Sequence, residues 1–542
     1  MKPIRFSLNR CFLRRGALLL LFPILTVSPP RTSSAPLQPG ENGTAPAAST
    51  KAWRKPAADR RRRMIFNNDG NEAVHQMTRP SADDFLKCRT AGLVGSQVDS
   101  IFYCTTDGFG TFKHLTKVGQ LYTLRREPNP NNQLQALAEK GIDPLKIMTD
   151  FGKRHGIEVF WSFRMNDVHD KNPSGYQRAR FLFNKLKNEH PEYLMGTLQN
   201  RPRYGGWSAV DYGRREIRDL AFRYVAEICR NYNVDGVELD FFRHPVFFRS
   251  TTQGKPATDQ QRAEMTELLH RIRALADEAG KQRGRPILIA VRVPDSVEYC
   301  RAIGLDLERW MADDLLDLLI VSGYFQLNDW DYSVALARKY GVKVYPSLDE
   351  SRVADPAARK MRSTELAYRG RAANVWSAGA DGVYLFNCFD PNSLCWRELG
   401  DPKLLAKLDK DYFASVRGVV PANGGNLPFR PYQKYETLNP ANPKVIAPGK
   451  KATARMRLGE DFTKTLPKTL NLRLRFADHP KADTILVSVN GHPLKLHPEG
   501  TEWLEARPQS ADLREGVNEI EVALQDDAPK MKWTDLLLEV RH

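Results

Sequence analysis

Glu238 and Asp240 stand two residues apart in Val-Asp-Gly-Val-Glu-Leu-Asp-Phe-Phe, a run otherwise almost wholly apolar. On a β-strand that spacing puts both carboxylates on one face and Val237, Leu239 and Phe241 on the other. Two like charges on a buried face are costly without partners. Their mutual repulsion also raises one pKa, which is how a carboxyl group becomes a general acid near neutral pH. Glycosidic bond cleavage needs such a donor and a second carboxylate as nucleophile or base. Asp240 with Glu350, from the adjacent Asp349–Glu350, supplies such a pair. Only one of those two neighbours projects inward from a strand end, and their order can be reversed. Glu238, Asp295 and Asp167 are the alternative donors.

Further polar groups close other apolar runs: Asn67-Asn68-Asp69, Arg164-Met165-Asn166-Asp167 with His169-Asp170, Arg243-His244, Arg292 with Asp295, and Asn387 with Asp390. Arg164, Arg243 and Arg292 serve as counter-charges and as donors to substrate hydroxyls. Asp69, Asn166, Asp167, His169, His244 and Asn387 join them as the expected substrate-binding set. Trp161, Tyr204, Trp207, Phe242, Tyr324, Trp330 and Tyr384 are aromatic groups suited to stack on sugar faces. Tyr204-Gly-Gly-Trp207 is the preferred pair, with Tyr324 and Trp330 next. No metal or cofactor is expected. His114, His155 and His169 lack ligand spacing and no Cys-x-x-Cys occurs. A metal site would require His169, His244 and a carboxylate brought from separate strand ends. Neither a P-loop nor a Gly-x-Ser-x-Gly elbow is present.

The elements that must position these groups are eight short β-branched runs separated by helical stretches. They are 64–67, 97–104, 157–163, 236–241, 286–293, 316–322, 342–348 and 382–386. The amphipathic stretch 212–232, with Ile217, Leu220, Tyr224, Val225 and Ile228 at helical spacing, leads into the fourth. Eight such units predict an α/β chain folded as a (β/α)₈ (TIM) barrel over residues 64–415, whose strand ends share one pocket. Residues 416–443, dense in Gly, Pro and Asn, read as a linker. Short alternating runs from 444 to 542, with the hairpin signal Asn490-Gly491, predict a C-terminal all-β sandwich.

The net charge of +17 invites a nucleic-acid reading, but its distribution opposes one. Residues 1–35 hold six basic groups and no acid, and residues 36–63 hold seven against Glu41 and Asp59. Only +6 remains for the 479 residues from Met64 onward, an ordinary surface. Residues 1–35, with a basic start, the apolar core 17–25 and Ser33-x-Ala35, read as an export signal. Arg14-Arg15 before that core is similar to a twin-arginine signal. The core is too short to span a membrane. Residues 36–63 read as a disordered tether and Arg60–Arg63 as a solvated flank.

From Val234 to Phe241 the sequence resembles the glycosyl-hydrolase-10-like barrels of exported bacterial proteins. The Phe-Arg-Met-Asn-Asp end of the third strand and Asp381-Gly-Val-Tyr extend the likeness over residues 64–413. The resemblance implies a (β/α)₈ barrel acting on glycans in the periplasm, at the cell surface or outside the cell. The fourth strand is also similar to the chitinase-type pattern Asp-Gly-x-Asp-x-Asp-x-Glu, with Asp235, Glu238 and Asp240 on its acidic positions. Phe242 takes the place of that pattern's proton-donating Glu, which argues against chitinase-like catalysis. The leading expectation is thus an extracytoplasmic glycoside hydrolase. A non-catalytic glycan-binding barrel, or a lyase or metal-dependent hydrolase on the same scaffold, are its competitors.

Overall fold

The computed structural model describes residues 47–122, 132–171, 184–417, 428, 430–477 and 481–542. The expected export signal lies outside them. Eight parallel strands form a closed barrel: β1 (Met64–Asn68), β2 (Val98–Cys104), β3 (Glu158–Arg164), β4 (Gly236–Asp240), β5 (Leu288–Val293), β6 (Leu318–Val321), β7 (Lys343–Leu348) and β8 (Val383–Leu385). Each pairs with its sequence neighbours, and β8 returns to β1. Both faces are covered, so the strands are buried almost end to end, as parallel sheets require. Inside, Phe102 stacks on Phe160 with centroids 4.4 Å apart, and Leu288, Tyr345 and Tyr384 fill the same layer.

Local signals place the surrounding helices. Asp143 accepts hydrogen bonds from Leu145 and Lys146 N–H and, with Pro144, starts α3 (Pro144–His155); Gly156 at φ 68° stops it. The 17-residue α4 (Arg215–Asn231) turns its apolar stripe onto the barrel. A capping box between Thr258 and Gln261 opens α5 (Asp259–Gln282). The segment between β7 and β8 carries two helices, Pro356–Met361 and Glu365–Ser377. Thr364 caps the second through its hydroxyl, so a Ser-Thr pair inside the periodic stretch restarts the helix.

The tether expectation fails from Ala47 onward. Ala47–Ala58 is the first helix, α1, and it is tied to the barrel's amino-terminal end by Arg54. That side chain is 1% exposed and ion-paired to Asp317 at 2.9 Å, Asp314 at 2.6 Å and Asp277 at 3.2 Å. Arg62, read as part of a solvated flank, is fully buried and binds Glu158 with two bonds of 2.7 and 3.0 Å, plugging the barrel floor. The segment's charge looks solvated in sequence because its partners lie 96 to 263 positions away. Arg54→Ala leaves Asp317 and Asp277 to Arg273 and Asp314 to Lys51, removes the cation that joins all three to α1, and is expected to cost about 3 kcal/mol. A urea unfolding midpoint equal to that of the unmutated protein would refute this role.

The C-terminal region is the expected sandwich. One sheet runs β9 (Lys410–Phe413), β18 (Met531–Arg541), β12 (Thr469–Phe476), β16 (Trp503–Ala506), β15 (His497–Glu499), and β10 (Lys444–Ile446) also pairs with β18. The other runs β11 (Lys451–Leu458), β17 (Gly516–Leu524), β13 (Ile485–Val489), β14 (His492–Leu494). Alternating residues such as Leu472, Leu474 and Phe476 meet Met456, Val487 and Trp533 in its core. The expected boundary shifts: Lys410–Phe413, assigned to the barrel, is a strand of the sandwich. The helix Glu365–Ser377 lies on that strand, and Gly370 permits the approach, since a Cβ there would fall 2.4 Å from the Asp411 carbonyl oxygen. Buried Arg362 and Asp535 join the two domains through bonds of 2.9 and 2.5 Å.

Candidate active site

Strand register builds the site. Pairing of β3, β4 and β5 sets Arg164 beside Asp240 and Asp240 beside Arg292, in one row at the carboxyl ends. One step deeper, Ser162 lies beside Glu238. Asp240 is buried, accepts 2.9 Å bonds from Phe242 and Arg243 N–H on Oδ1, and turns Oδ2 toward Arg292 Nη1 at 3.7 Å. Arg292 is fully buried, and its Nη1 has no hydrogen-bond acceptor. Its guanidinium lies 4.0 Å from the Phe386 ring centroid and 5.2 Å from that of Phe242. Gly323 makes room, because a Cβ there would stand 2.5 Å from Arg292 Nη2.

Glu238 is a closed system. Ser162 Oγ donates to its Oε2, Tyr384 OH donates to Oε1 at 2.9 Å, and Asn67 Nδ2 donates to the Tyr384 oxygen at 2.6 Å. Burial and then the Asp240 charge push its pKa up to about 7. The unfolded chain gives up this proton near 4.5. Glu238 therefore withdraws stability progressively from the unfolded value up to about 7, and withdraws nothing below it. Glu238→Gln is expected to be at least as stable as the unmutated protein at pH 8, and the difference should shrink toward pH 4. A difference independent of pH would rule out this titration.

The seventh strand end reverses the expected order of acids. Glu350 is half-exposed and paired with Arg352 at 2.9 Å. Asp349 is fully buried, accepts the Glu350 N–H on Oδ1 at 2.8 Å, and leaves Oδ2 without a hydrogen-bond partner. Burial pushes the Asp349 carboxyl above the ordinary range against the pull of Arg417, Arg352 and Arg292. Arg292 thus acts on both acids, through a 3.7 Å approach to Asp240 and through its field at Asp349.

Other expected residues divide by what holds them. Asp295 is an anchor: its carboxylate accepts Leu327 and Asn328 N–H at 3.0 Å and fixes the loop after β6. Asn166 is likewise spent on the backbone of Val210 and Val246. Trp207 is 9% exposed with Nε1 donating to the Lys171 carbonyl, and Trp330 is buried beside the sandwich, so neither is a free platform. Tyr204 is half-buried under Arg203. Tyr324 is the aromatic of the mouth, clasped between Arg243 at 4.8 Å and Arg352 at 4.0 Å. Burial opposes charge on Asp69, but Arg89 and Arg164 outweigh it and hold its pKa below the ordinary range.

Asp167, His169 and His244 bring one potential ligand atom each within 4.8 Å of one another, the metal trio considered above. Their lone pairs are largely taken. Arg243 Nη2 donates to His169 Nε2 at 2.8 Å, so the His169 proton sits on Nδ1 and goes to Asp167 at 2.6 Å. The Val168 N–H points at His244 Nδ1 at 3.3 Å, and Arg164 binds the other Asp167 oxygen. Burial and then Arg243 push the His244 pKa well down. Two guanidinium groups inside the trio repel a cation, and the arrangement orients Arg243. His244, Ser322 and Asn387 have φ of 59°, 69° and 59°, a left-handed backbone rare outside glycine. All three follow strand ends at this mouth.

Ser162 and Arg352 were not expected at the site, and of the two orders open for Asp349 and Glu350 the inward acid is Asp349. Strand register alone reveals the first, and Arg352 lies in a loop without a motif.

No known protein family matches the chain, and no curated protein does. Solved structures with a similar overall course include an α-L-fucosidase isoenzyme 2 from Paenibacillus thiaminolyticus, at 15% identity over 64% of this chain and 49% of that one, TM-score 0.40. This chain therefore corresponds to about half of that enzyme's length. A glycoside hydrolase family 18 N-acetylglucosaminidase from Paenibacillus barengoltzii aligns at 13% identity over 64% and 98% of the two chains, TM-score 0.33. The PgaB (BpsB) glycoside hydrolase domain from Bordetella bronchiseptica aligns at 8% over 60% and 93%, TM-score 0.38. The barrel assignment stands on the strand pairing, and the functional reading on the side chains.

Proposed function

We propose that the protein is a glycoside hydrolase in which Asp349 is the general acid and Asp240 the nucleophile or base. The observation that carries this is the buried Asp349 carboxyl, one oxygen of which accepts no hydrogen bond, lying within the field of the same Arg292 that faces Asp240. A carboxyl that keeps its proton into higher pH is the donor such chemistry needs. Arg292 Nη1 is the free donor for a substrate hydroxyl, with Tyr324 held at the mouth between Arg243 and Arg352. Phe242, at the donor position of the chitinase-type pattern, packs on Phe325 with centroids 4.7 Å apart, which supports supply of the proton from the seventh strand. The substrate is an extracytoplasmic poly- or oligosaccharide, a location supported by the signal-like residues 1–35. Among the described residues no helix is long and apolar enough to cross a membrane.

The test is a glycan hydrolysis screen with Asp240→Asn beside it. Turnover absent from the variant supports the assignment. Glycan binding without turnover on any substrate favours the non-catalytic barrel.

A further inference from the structure

Between barrel and sandwich lies a small polar cavity lined by two buried arginines. Arg371, on the helix Glu365–Ser377, is 5% exposed, and none of its three guanidinium nitrogens has a hydrogen-bond acceptor. Arg417, which follows β9, is 1% exposed with Nε equally unpartnered. Both line the cavity, with Asn374, Gln326 and Tyr435. Among the described residues no carboxylate lies within ion-pair distance of either arginine. Asp411, in the same wall, is spent on Arg541 at 2.9 Å.

A guanidinium cannot shed its charge as a buried Lys or Glu can, and an unpaired buried ion costs several kcal/mol. Here two stand together. The strain shows on Arg417, where burial and then Arg371 pull the pKa down to about 10. The cavity leaves about 20 Å³ for the centre of a water-sized body, enough for one such occupant and too little for a sugar ring. Water satisfies donors but does not cancel charge.

We propose that this cavity is a binding site for one small monovalent inorganic anion of chloride's size, held by Arg371 and Arg417 between the two domains. Arg417 Nη1 also donates to the carbonyl oxygens of Asp349 at 3.2 Å and Glu350 at 2.8 Å. The occupant therefore pins the end of β7 as well as the domain interface. Any effect on catalysis rests on the role assigned to Asp349; the binding itself does not.

The test compares melting of the full chain in sodium chloride and sodium gluconate at equal ionic strength. Chloride at about a hundred times its dissociation constant is expected to raise the melting temperature by roughly 2–3 °C, saturably. Arg371→Met should lose that dependence, whereas Arg215→Gln, at an exposed position on α4 away from the cavity, should keep it. Should Arg371→Met fail to fold, a bromide soak of crystals of the unmutated protein decides. An anomalous peak between Arg371 and Arg417 supports the site. Identical melting in both salts, or a soaked crystal without that peak, overturns it in favour of water.

Discussion

Asp349→Asn is expected to lower kcat by about 10²- to 10⁴-fold on natural glycosides while leaving KM nearly unchanged. An aryl glycoside with a good leaving group should lose far less, because its departing oxygen needs no proton. The pH profile should change shape as well. The active form of Asp349 is protonated, and its pKa is raised by burial, so activity falls as pH climbs through that raised value. Asp349→Asn should remove this alkaline limb. Asp240→Asn is expected to abolish turnover on both substrate classes. Glu350→Gln should cost less than about tenfold, since Glu350 is half-exposed and held by Arg352. Full activity in Asp349→Asn would move the donor to Glu238, whose buried carboxyl also has a raised pKa and lies beside Asp240 on the same strand.

Arg362→Ala is expected to cost about 3–5 kcal/mol, because it leaves Asp535 buried without its cation. Both groups are within 1% of full burial, and Asp535 is further fixed by the Leu536 N–H at 2.9 Å. The loss should fall on the joint between domains. Calorimetry is expected to resolve one transition into two, with Trp533, whose indole donates to the Asp535 carbonyl, reporting the sandwich. Replacing the pair by Met and Leu should recover most of the stability, since apolar groups of similar volume need no desolvation. A single unshifted transition in Arg362→Ala would mean that the interface is held elsewhere.

Element type and order were legible because each barrel strand is a short apolar run between helices with their own caps. The fourth strand was legible to the residue: Glu238 and Asp240 share the inner face as period-two alternation demands. What could not be read was anything set by pairing across long separations. Asp295 sits at a strand end like a catalytic acid, yet its oxygens are taken by backbone more than thirty positions on. Asp349 and Glu350 are chemically equivalent as sequence, and the twist of β7 as it leaves the barrel decides which turns inward. Arg54 and Arg62 looked like solvated charge for the same reason. The boundary at Lys410–Phe413 was missed because β9 finds its partner, β18, about 130 positions later.

The three left-handed residues at the mouth bear on how the protein wears out. Each such conformation costs of order 1–3 kcal/mol outside glycine, and His244, Ser322 and Asn387 gather at one end of the barrel, against Asp314 before β6 at the other. The opposite end is plugged by buried ion pairs and carries α1. Heat should therefore silence the protein before it melts it, with inactivation several degrees below unfolding. An engineer who installs glycine at 387 should gain a hardier barrel and a slacker catalyst, because the same tension that makes the rim fragile keeps its side chains aimed.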